Sequence, residues 1–431
     1  MQRTAERPKS PASSGAMRRQ YERTLRFIER NKFTPSLMHH FDWGLFLLVL
    51  SIALFGVLAI FCATATPLIS GNVGRLSFLE LLRTQPTYYA RLQLMWIGAG
   101  LVFMGLMVFL DYELFERHAN KIYWSNILML VVVLFMERGR GGMAGWFRWG
   151  SDMNRTMQPS EFGKLAIIIS LAKLFAGRQK PITTVRELLP TLAYVGLPLI
   201  LIVLQPDYGT AMVYIVIFGV MLFASGTGYK LIIGMLALAV LMLVPVWYMM
   251  NMAENSFRLN RILVFLDPTH DTAGAGMQMA NARIAVGSGG LFGKGLFSEG
   301  SIASLNYIPD DYTDFIFAIV CEAFGFVGAG VLVLAFTLLI LRLIVLSSQA
   351  ADAFGNYVII GVMAMLLFHI VENVGMVVGV LPVTGIPLPF ISYGGSNLLT
   401  NMIGMGMVLG ISMRSRDRRK RGQAKRRVAK L

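Results

Sequence analysis

Ionisable side chains interrupt the apolar stretches of this 431-residue chain at only a few places. Glu161 and Lys164 are three residues apart and therefore share one face of a helix. Asp207 lies in a short polar turn, and Asp314 begins another apolar stretch, with Glu322 eight residues further on. Carboxylates can act as general bases or bind cations. Because charges inside apolar segments are costly, we treat these residues as candidates for function.

Each of these groups also has a structural interpretation. Glu161 and Lys164 could be a buried ion pair that locks helices together. Asp207 or Asp314 could cap the helix that follows it.

A histidine and a glutamate three residues apart form a second polar group. His369 and Glu372 lie within an apolar stretch and are followed by Asn373. They could be interhelical hydrogen-bonding groups, since two ligands at this spacing are too few for a metal site.

A glycine-rich segment, residues 287–295, superficially resembles a phosphate-binding loop. Ser288 stands where the first glycine belongs, and Gly295 replaces the required Ser or Thr. One interpretation is a backbone nest in which Lys294 approaches a phosphate or pyrophosphate. The other is a plain glycine-rich bend.

The composition indicates which elements must position these residues. Apolar residues make up 55% of the chain and charged residues 15%, against roughly 25% charged in soluble proteins. The mean hydropathy of +0.60 comes from repeated apolar blocks near the length of a membrane span. Soluble enzyme folds are excluded, and Cys62 and Cys321, both in apolar runs, exclude a disulfide framework or a cysteine metal site.

The apolar blocks predict an all-α polytopic membrane protein of about ten transmembrane helices. The spans are 44–66, 92–110, 121–136, 159–177, 188–204, 208–225, 230–250, 314–345, 355–380 and 396–413. An even number places both termini on one side of the membrane.

Nearly all of the net charge of +15 lies in two tails, residues 1–43 and 414–431, which flank a transmembrane domain at 44–413. The positive-inside rule places both tails in the cytoplasm. Because no folded region carries the charge, the sequence argues against nucleic-acid binding and favours contact with anionic inner-leaflet lipids. The tail ends are expected to be poorly ordered.

This topology places the candidate carboxylates Glu161, Asp207 and Asp314 on the outer face. The outer segments are 67–91, 137–158, 205–208, 251–313 and 381–395. The longest, a large extracytoplasmic loop between helices 7 and 8, contains apolar, helix-like pieces at Arg261 to Leu266 and Met277 to Val286. We expect it to fold back on the membrane surface.

In six segments, taken in order, the sequence resembles the shape, elongation, division and sporulation (SEDS) family, over about residues 44–412. The segments are Gln158-Pro159-Ser160-Glu161 with Lys164, Gln205-Pro206-Asp207 with Gly209 and Thr210, Arg261 to Pro268 leading to Gly274-Ala275-Gly276, Ile284 to Gly295, Thr313 to Ala318 with Glu322 and Gly325, and Leu381 to Ser396. Val383 to Pro387 looks more like the elongation branch, typified by RodA, than like the division branch, typified by FtsW.

The resemblance implies a peptidoglycan glycosyltransferase that polymerises lipid II on the outer face of the bacterial cytoplasmic membrane, for cell elongation and rod shape, with a class B penicillin-binding transpeptidase. It also implies that Asp314 is the essential aspartate and that a divalent cation, Mg or Mn, takes part, with Glu161, Asp207 and Asp314 as its candidate ligands. The implied substrate-binding and cavity residues are Glu161, Lys164, Asp207, Arg148, Trp149, Lys294, Glu322, Ser392 and Ser396.

Such a reaction needs a base for the attacking sugar hydroxyl and positive charge for the departing pyrophosphate. Asp314 is the candidate base. Lys164, Arg148, Lys294 or a divalent cation could take the leaving-group charge. The alternative functions are a septal glycan polymerase, a lipid II flippase, which should need a polar path to the cytoplasmic side, and an inert scaffold.

Overall fold

The computed structural model describes residues 38–69, 88–136, 145–149, 155–235, 237–238, 241, 263–265, 271, 274–298, 300–305, 307–309 and 311–428. Within these residues the chain forms helices and one short β-hairpin. The elements are α1 (Trp43–Ile69), α2 (Tyr88–Phe109), α3 (Tyr112–Leu134), β1 (Phe147–Trp149), β2 (Arg155–Met157), α4 (Pro159–Ala176), α5 (Val185–Leu204), α6 (Tyr208–Ala224), α7 (Ala275–Ser288), α8 (Ile316–Ser348), α9 (Ala353–Val378) and α10 (Gly395–Val428).

The predicted polytopic helical architecture is confirmed in its main feature. In the described part of the chain six helices are long and apolar enough to cross a membrane, namely α1, α2, α5, α8, α9 and the first 25 residues of α10, and α6 is a shorter apolar helix. Each predicted span except the seventh falls on one of these helices, and the described residues of the seventh are also helical. Residues 230–250 lie largely outside the described residues, so the number of ten spans stays a prediction.

Several predicted boundaries are wrong. α3 begins at Tyr112 rather than at 121, because Asp111 caps it and its polar first turns lower the apolar signal. The last helix continues to Val428, so the basic residues from 414 onward extend a helix instead of opening an unstructured tail. The expectation of helix alone also misses the β1–β2 hairpin, in which Arg148 pairs with Thr156.

α9 and α10 form the centre of the bundle. In α10, 89% of the apolar stretch that could span a membrane is buried, against 33% in α8. α10 packs against α2, α4 and α9, while α9 also contacts α6 and α8. A Cβ at Gly406 would lie 2.6 Å from the Met104 carbonyl oxygen, so glycine is what lets α10 approach α2 this closely.

The helices alternate in direction, so the bundle has two distinct ends. α2, α4, α6, α8 and α10 begin at the end that also holds loop 381–395, here called the site end. The opposite end, here called the basic end, is where Arg414, Arg416 and Arg418 lie. The predicted outer loop segment Met277 to Val286 is helical as expected, within α7, which packs against α8 and α9.

Three arginines of α10 tie the basic end together. Arg416 Nη2 lies 2.6 Å from Asp42 Oδ2, an oxygen that also accepts from Arg342 of α8. Arg414 donates to the carbonyls of Val108 and Phe109, which end α2. These arginines bind the protein itself, and the predicted contact of the two tails with anionic lipids stays a prediction.

A second cluster at the same end joins α3, α9 and α10. Asp352 caps α9 by accepting from the Gly355 amide, and it also accepts from Tyr112 and Arg418. Arg418 in addition pairs with Glu113. The carboxylates that precede α1 and α9 are therefore fixed by Arg416 and Arg418 of α10.

Substituting Asp42 tests the first of these clusters. Asp42→Asn leaves two arginines, 38% and 29% exposed, without a charged acceptor. We expect a loss of about 1 kcal/mol, a shift of about 2 °C in Tm for a chain of this size. The buried thiols of Cys62 and Cys321 report unfolding through reaction with a fluorogenic maleimide. The exposed charge of Lys230 at the same end provides the control, Lys230→Gln, for which we expect no shift.

The pH dependence of this difference follows from the pKa of Asp42. Burial alone would raise that pKa, but hydrogen bonds from Arg342 and the Leu45 amide, with the charges of Arg342 and Arg416, hold it below its ordinary value. A lowered pKa stabilises the fold above the unfolded-state pKa, and this contribution is lost as pH falls through the folded-state pKa. The difference between wild type and Asp42→Asn should therefore stay constant between about pH 5 and pH 8. A difference that vanishes within that range contradicts the assignment.

Candidate functional site

The site end collects the candidate carboxylates from separate parts of the chain. Glu161 lies in the first turn of α4, Asp207 immediately precedes α6, and Asp314 lies just before α8. The three helices all begin at this end, so the structure places these residues on one face of the bundle, as the sequence predicts.

Glu161 and Lys164 form a buried ion pair. Lys164 Nζ lies 2.7 Å from Glu161 Oε1, and the two side chains are 1% and 6% exposed. The same ammonium lies 3.0 Å from His369 Nε2, while His369 Nδ1 lies 3.1 Å from the Pro387 carbonyl oxygen. Lys164 must donate to Nε2, so His369 is a neutral imidazole that carries its proton on Nδ1. The hydrogen-bonding interpretation is confirmed for His369, with Lys164 and Pro387 as the partners, and for Glu372 it stays a prediction.

The ion pair extends into α10. Glu161 Oε2 accepts from Asn397 Nδ2 at 3.0 Å, and Asn397 Oδ1 accepts from Asn401 Nδ2 at 2.8 Å. Both oxygens of Glu161 are thus used, and the network joins α4, α9 and α10. The structural interpretation of the pair is confirmed: it locks three helices together.

Asp207 caps α6 and also contacts the start of α4. Its Oδ1 accepts from the Thr210 amide at 3.1 Å and caps α6, as the structural interpretation requires. Its Oδ2 accepts from Gln158 Nε2 at 2.7 Å and Ser160 Oγ at 3.2 Å. Because Ser160 precedes Glu161 in α4, Asp207 and the buried ion pair lie in adjoining parts of one site.

Asp314 is held by its backbone. The N-cap residue of α8 is Phe315, so Asp314 lies one position before the cap. Asn373 Nδ2 donates to the carbonyl oxygens of both Asp314 and Ile386 at 2.8 Å. Asn373 is fully buried, one helical turn from His369 on α9, while Asp314 is only partly buried. One face of α9 therefore positions the ion pair, loop 381–395 and Asp314.

Loop 381–395 enters the bundle, and the two candidate serines hold it there. Ser392 Oγ accepts from the Leu388 amide at 2.8 Å, and its carbonyl oxygen accepts from Gln93 of α2. Ser396 Oγ accepts from the Gln158 amide at 3.1 Å. The structure thus gives Ser392 and Ser396 a role in fixing the loop beside α4.

Glu322 and Lys294 form a separate cluster. Lys294 Nζ lies 2.7 Å from Glu322 Oε1, which also accepts from the Ile302 amide at 2.8 Å. Glu322 Oε2 accepts from the Ala303 amide at 3.3 Å. The buried carboxylate therefore organises the segment that follows α7, and the structure gives it no contact with Glu161 or Asp207.

The glycine-rich segment inserts its backbone into a break in α8 at Gly325, where φ is +67°. The amides of Lys294 and Gly295 donate to the carbonyls of Glu322 and Ala323. A Cβ at Gly293 would lie 2.2 Å from the Ala323 carbonyl oxygen, so only glycine fits. These amides and the Lys294 ammonium are used internally, which favours the glycine-rich bend over a phosphate nest.

The hairpin leads directly into α4. Arg148 and Trp149 lie in β1, and β2 continues through Gln158 to the first turn of α4. The backbone of both residues is thus placed beside the site, while their side chains lie outside the described part of the chain. Their predicted contact with substrate stays a prediction.

The predicted cation ligands do not fit a metal site as they stand. No group of three His, Cys, Asp or Glu side chains that could hold a metal ion occurs among the described residues. Both oxygens of Glu161 and of Asp207 already accept hydrogen bonds from protein donors. A site built from Glu161, Asp207 and Asp314 would require these donors to move away.

The side-chain amides of this network were not among the residues predicted from the sequence. Asn397 and Asn401 are four residues apart in a predominantly apolar helix, the spacing that puts both on one face, and Gln93 interrupts α2 in a similar way. Uncharged polar residues within predicted spans were the available signal, because they too need a partner there.

Comparison with known proteins gives consistent results. Residues 42–417 match the FTSW_RODA_SPOVE family of cell cycle proteins. The chain is 35% identical over 334 residues to stage V sporulation protein E of Bacillus subtilis, covering 76% of this chain and 88% of that protein. It is 34% identical over 315 residues to peptidoglycan glycosyltransferase MrdB of Escherichia coli, covering 73% and 83%.

Solved structures agree with the fold. A chain of a peptidoglycan synthase complex that coordinates polymerization and crosslinking superimposes with a TM-score of 0.71 at 29% identity, covering 88% of this chain and 98% of that one. The rod shape determining protein RodA of Thermus thermophilus gives a TM-score of 0.60 at 28% identity, covering 86% and 96%.

A double substitution tests the buried ion pair. Lys164→Met leaves the Glu161 carboxylate uncompensated inside the bundle, and we expect it to cost about 3–5 kcal/mol. Adding Glu161→Gln should restore part of this loss, because the remaining charge disappears. Maleimide-detected thermal unfolding of the two single variants and the double variant measures the coupling. Lys173→Met, in the last turn of the same helix, is the control, and strictly additive losses contradict the pair.

A second substitution tests the Glu322 cluster. Glu322→Gln removes the charge that holds Lys294 and one of the two acceptor oxygens, so the amides of Ile302 and Ala303 should exchange with deuterium faster. Mass spectrometry of the peptide that covers residues 300–305 measures this. Glu187→Gln, in the first turn of α5, should leave the peptide unchanged, and equal exchange in both variants would show that Glu322 does not hold the segment.

Proposed function

The chain belongs to the FtsW/RodA/SpoVE family of cell cycle proteins, also called the SEDS family, and from this premise we propose that it is a peptidoglycan glycosyltransferase that polymerises lipid II. The names of its relatives in Escherichia coli and Treponema pallidum support this activity. The single structural observation that carries the proposal is the placement of Asp314, partly buried at the site end and held by Asn373 against loop 381–395.

The proposed reaction forms a bond between the 4-hydroxyl oxygen of one sugar and the anomeric carbon of another. The bond from that carbon to undecaprenyl pyrophosphate breaks, and the leaving group carries away the bonding electrons. In our proposal the Asp314 carboxylate accepts the hydroxyl proton. A carboxylate at the rim of the bundle is suited to this step, because a membrane-anchored acceptor can reach it.

The buried residues support this base without reacting themselves. In our proposal Glu161, Lys164 and Asp207 keep the helix starts in register and shape a polar cavity beside Asp314. Lys164 and Lys294 already pair with Glu161 and Glu322, so either could reach the pyrophosphate only by exchanging partners. The divalent cation stays a prediction, since Glu161 and Asp207 would first have to release their protein donors.

We further propose that the protein acts in cell elongation on the outer face of the cytoplasmic membrane, with a class B penicillin-binding transpeptidase as its partner. Val383 to Pro387 supports the elongation branch, and the similarity to a chain of a peptidoglycan synthase complex supports a partner. Septal synthesis remains the alternative function, since relatives named FtsW match at 32–33% identity. Selective co-purification with an elongation or a septal transpeptidase distinguishes the two.

Substituting the base tests the activity. Asp314→Asn should lower lipid II polymerisation at least about 100-fold, because general base catalysis contributes roughly 10²–10⁴-fold. The measurement is glycan chain length on gels, with purified variant and partner in detergent or nanodiscs. Unfolding temperature and partner binding should equal those of wild type.

Two outcomes would overturn the proposal. Full-length glycan from Asp314→Asn rules out Asp314 as the base. Wild-type protein that moves labelled lipid II across proteoliposomes but makes no glycan would instead indicate a flippase. Glu187→Gln, which changes an exposed carboxylate at the basic end, is the control and should retain polymerisation.

A further inference from the structure

Four tyrosines meet at the site end. Tyr88 and Tyr89 open α2, Tyr312 lies two residues before Asp314, and Tyr393 belongs to loop 381–395. The rings of Tyr89 and Tyr312 stack with centroids 4.4 Å apart, and Tyr393 lies 5.1 Å from Tyr89 and 5.8 Å from Tyr312. Tyr88 meets Tyr89 edge-on at 5.4 Å. We call this group the tyrosine cluster.

The tyrosine cluster is assembled by the fold. Its members come from three segments that are distant in sequence, and the Tyr393 amide donates to the Tyr312 carbonyl at 2.9 Å. The aromatic group at the basic end, at the start of α1, is instead local in sequence and consists of Phe41, Trp43 and Phe46. Aromatic belts at membrane interfaces need no convergence of distant segments, so belt formation alone does not account for the tyrosine cluster.

The rings form a path from the proposed base to the surface. Tyr312 is joined to Asp314 through Thr313, and the path ends at Tyr88, which is 57% exposed. Burial, with Tyr88 and Tyr89 nearby, raises the pKa of Tyr393 to about 12, so its phenol stays protonated and can donate a hydrogen bond. The surface beside Asp314 is therefore aromatic, and Tyr393 adds a hydrogen-bond donor to it.

Sugar rings suit such a surface. One face of a pyranose carries several C–H groups and is apolar, while its rim carries hydroxyls, so it stacks on an aromatic ring and bonds to polar groups beside it. Tyrosine offers both features at a low cost in conformational entropy. We propose that the tyrosine cluster, whose exposed member is Tyr88, binds an N-acetylhexosamine unit of the glycan chain next to the reacting sugar.

This inference rests on the proposed function and deepens it. Asp314 acts on one sugar hydroxyl, and a glycan chain extends from that sugar along a surface. The tyrosine cluster supplies an aromatic surface with hydroxyl groups. Its member Tyr312 lies two residues before the proposed base. Its role is to hold the chain in position, so loss of a ring should weaken binding more than it slows turnover.

Binding of a soluble glycan tests the proposal without turnover. The probe is chitotetraose, a β-1,4-linked N-acetylglucosamine tetramer, added to the full chain in nanodiscs and followed by saturation-transfer difference NMR. Tyr88→Leu should weaken binding about 3- to 10-fold, the range that an aromatic contact contributes, while Tyr88→Phe, which keeps the ring, should bind like wild type. Tyr229→Leu is the matched control, since Tyr229 is 68% exposed near the basic end.

Lipid II polymerisation provides a second readout. Tyr88→Leu should raise KM for lipid II by a similar factor of about 3 to 10 and change kcat little, with Tyr88→Phe restoring KM. Equal binding by wild type and Tyr88→Leu, or an equal loss in Tyr229→Leu, overturns the proposal and leaves interface anchoring as the role of the rings. If wild type binds chitotetraose through Tyr88 but makes no glycan, the proposed activity fails while the sugar site stands.

Discussion

The buried ion pair of Glu161 and Lys164 is the interaction on which the rest of the site depends. Its two charges lie 2.7 Å apart in the first two turns of α4, nearly closed off from solvent. A charge in such a position is tolerated only when every donor and acceptor is satisfied. His369 of α9 and Asn397 of α10 complete that requirement, so the electrostatics of one pair determine how three helices meet.

α9 connects the ion pair to the rim of the bundle. His369 and Asn373 are one turn apart and contact loop 381–395 through successive carbonyl oxygens, those of Pro387 and Ile386. The second contact of Asn373 is the backbone of Asp314. A single helical face therefore links the buried charges to the residue proposed as base, and a shift of α9 would move both together.

Sequence patterns predicted the helices and the side of the bundle to which each carboxylate belongs, because apolar length and alternating direction follow from local composition. They could not predict which carboxylate is compensated by which partner. Lys164 meets His369 across 205 positions of sequence, and Asn397 meets Glu161 across 236. The roles of Gly293 and Gly325 could not be predicted either. A phosphate loop and a backbone packed into a broken helix both require glycine, so the residue type does not distinguish them. The tyrosine cluster is also a product of tertiary packing.

The acidic residues of the bundle divide by the way in which they are held. In Glu161, Asp207 and Glu322 both carboxylate oxygens accept hydrogen bonds from protein donors, so these carboxylates position helices and loops. At Asp314 the main-chain oxygen accepts from Asn373 Nδ2, and this contact fixes where the residue lies. The base proposed at this position needs a firmly held backbone, which Asn373 provides, and a place near the surface, where Asp314 is only partly buried.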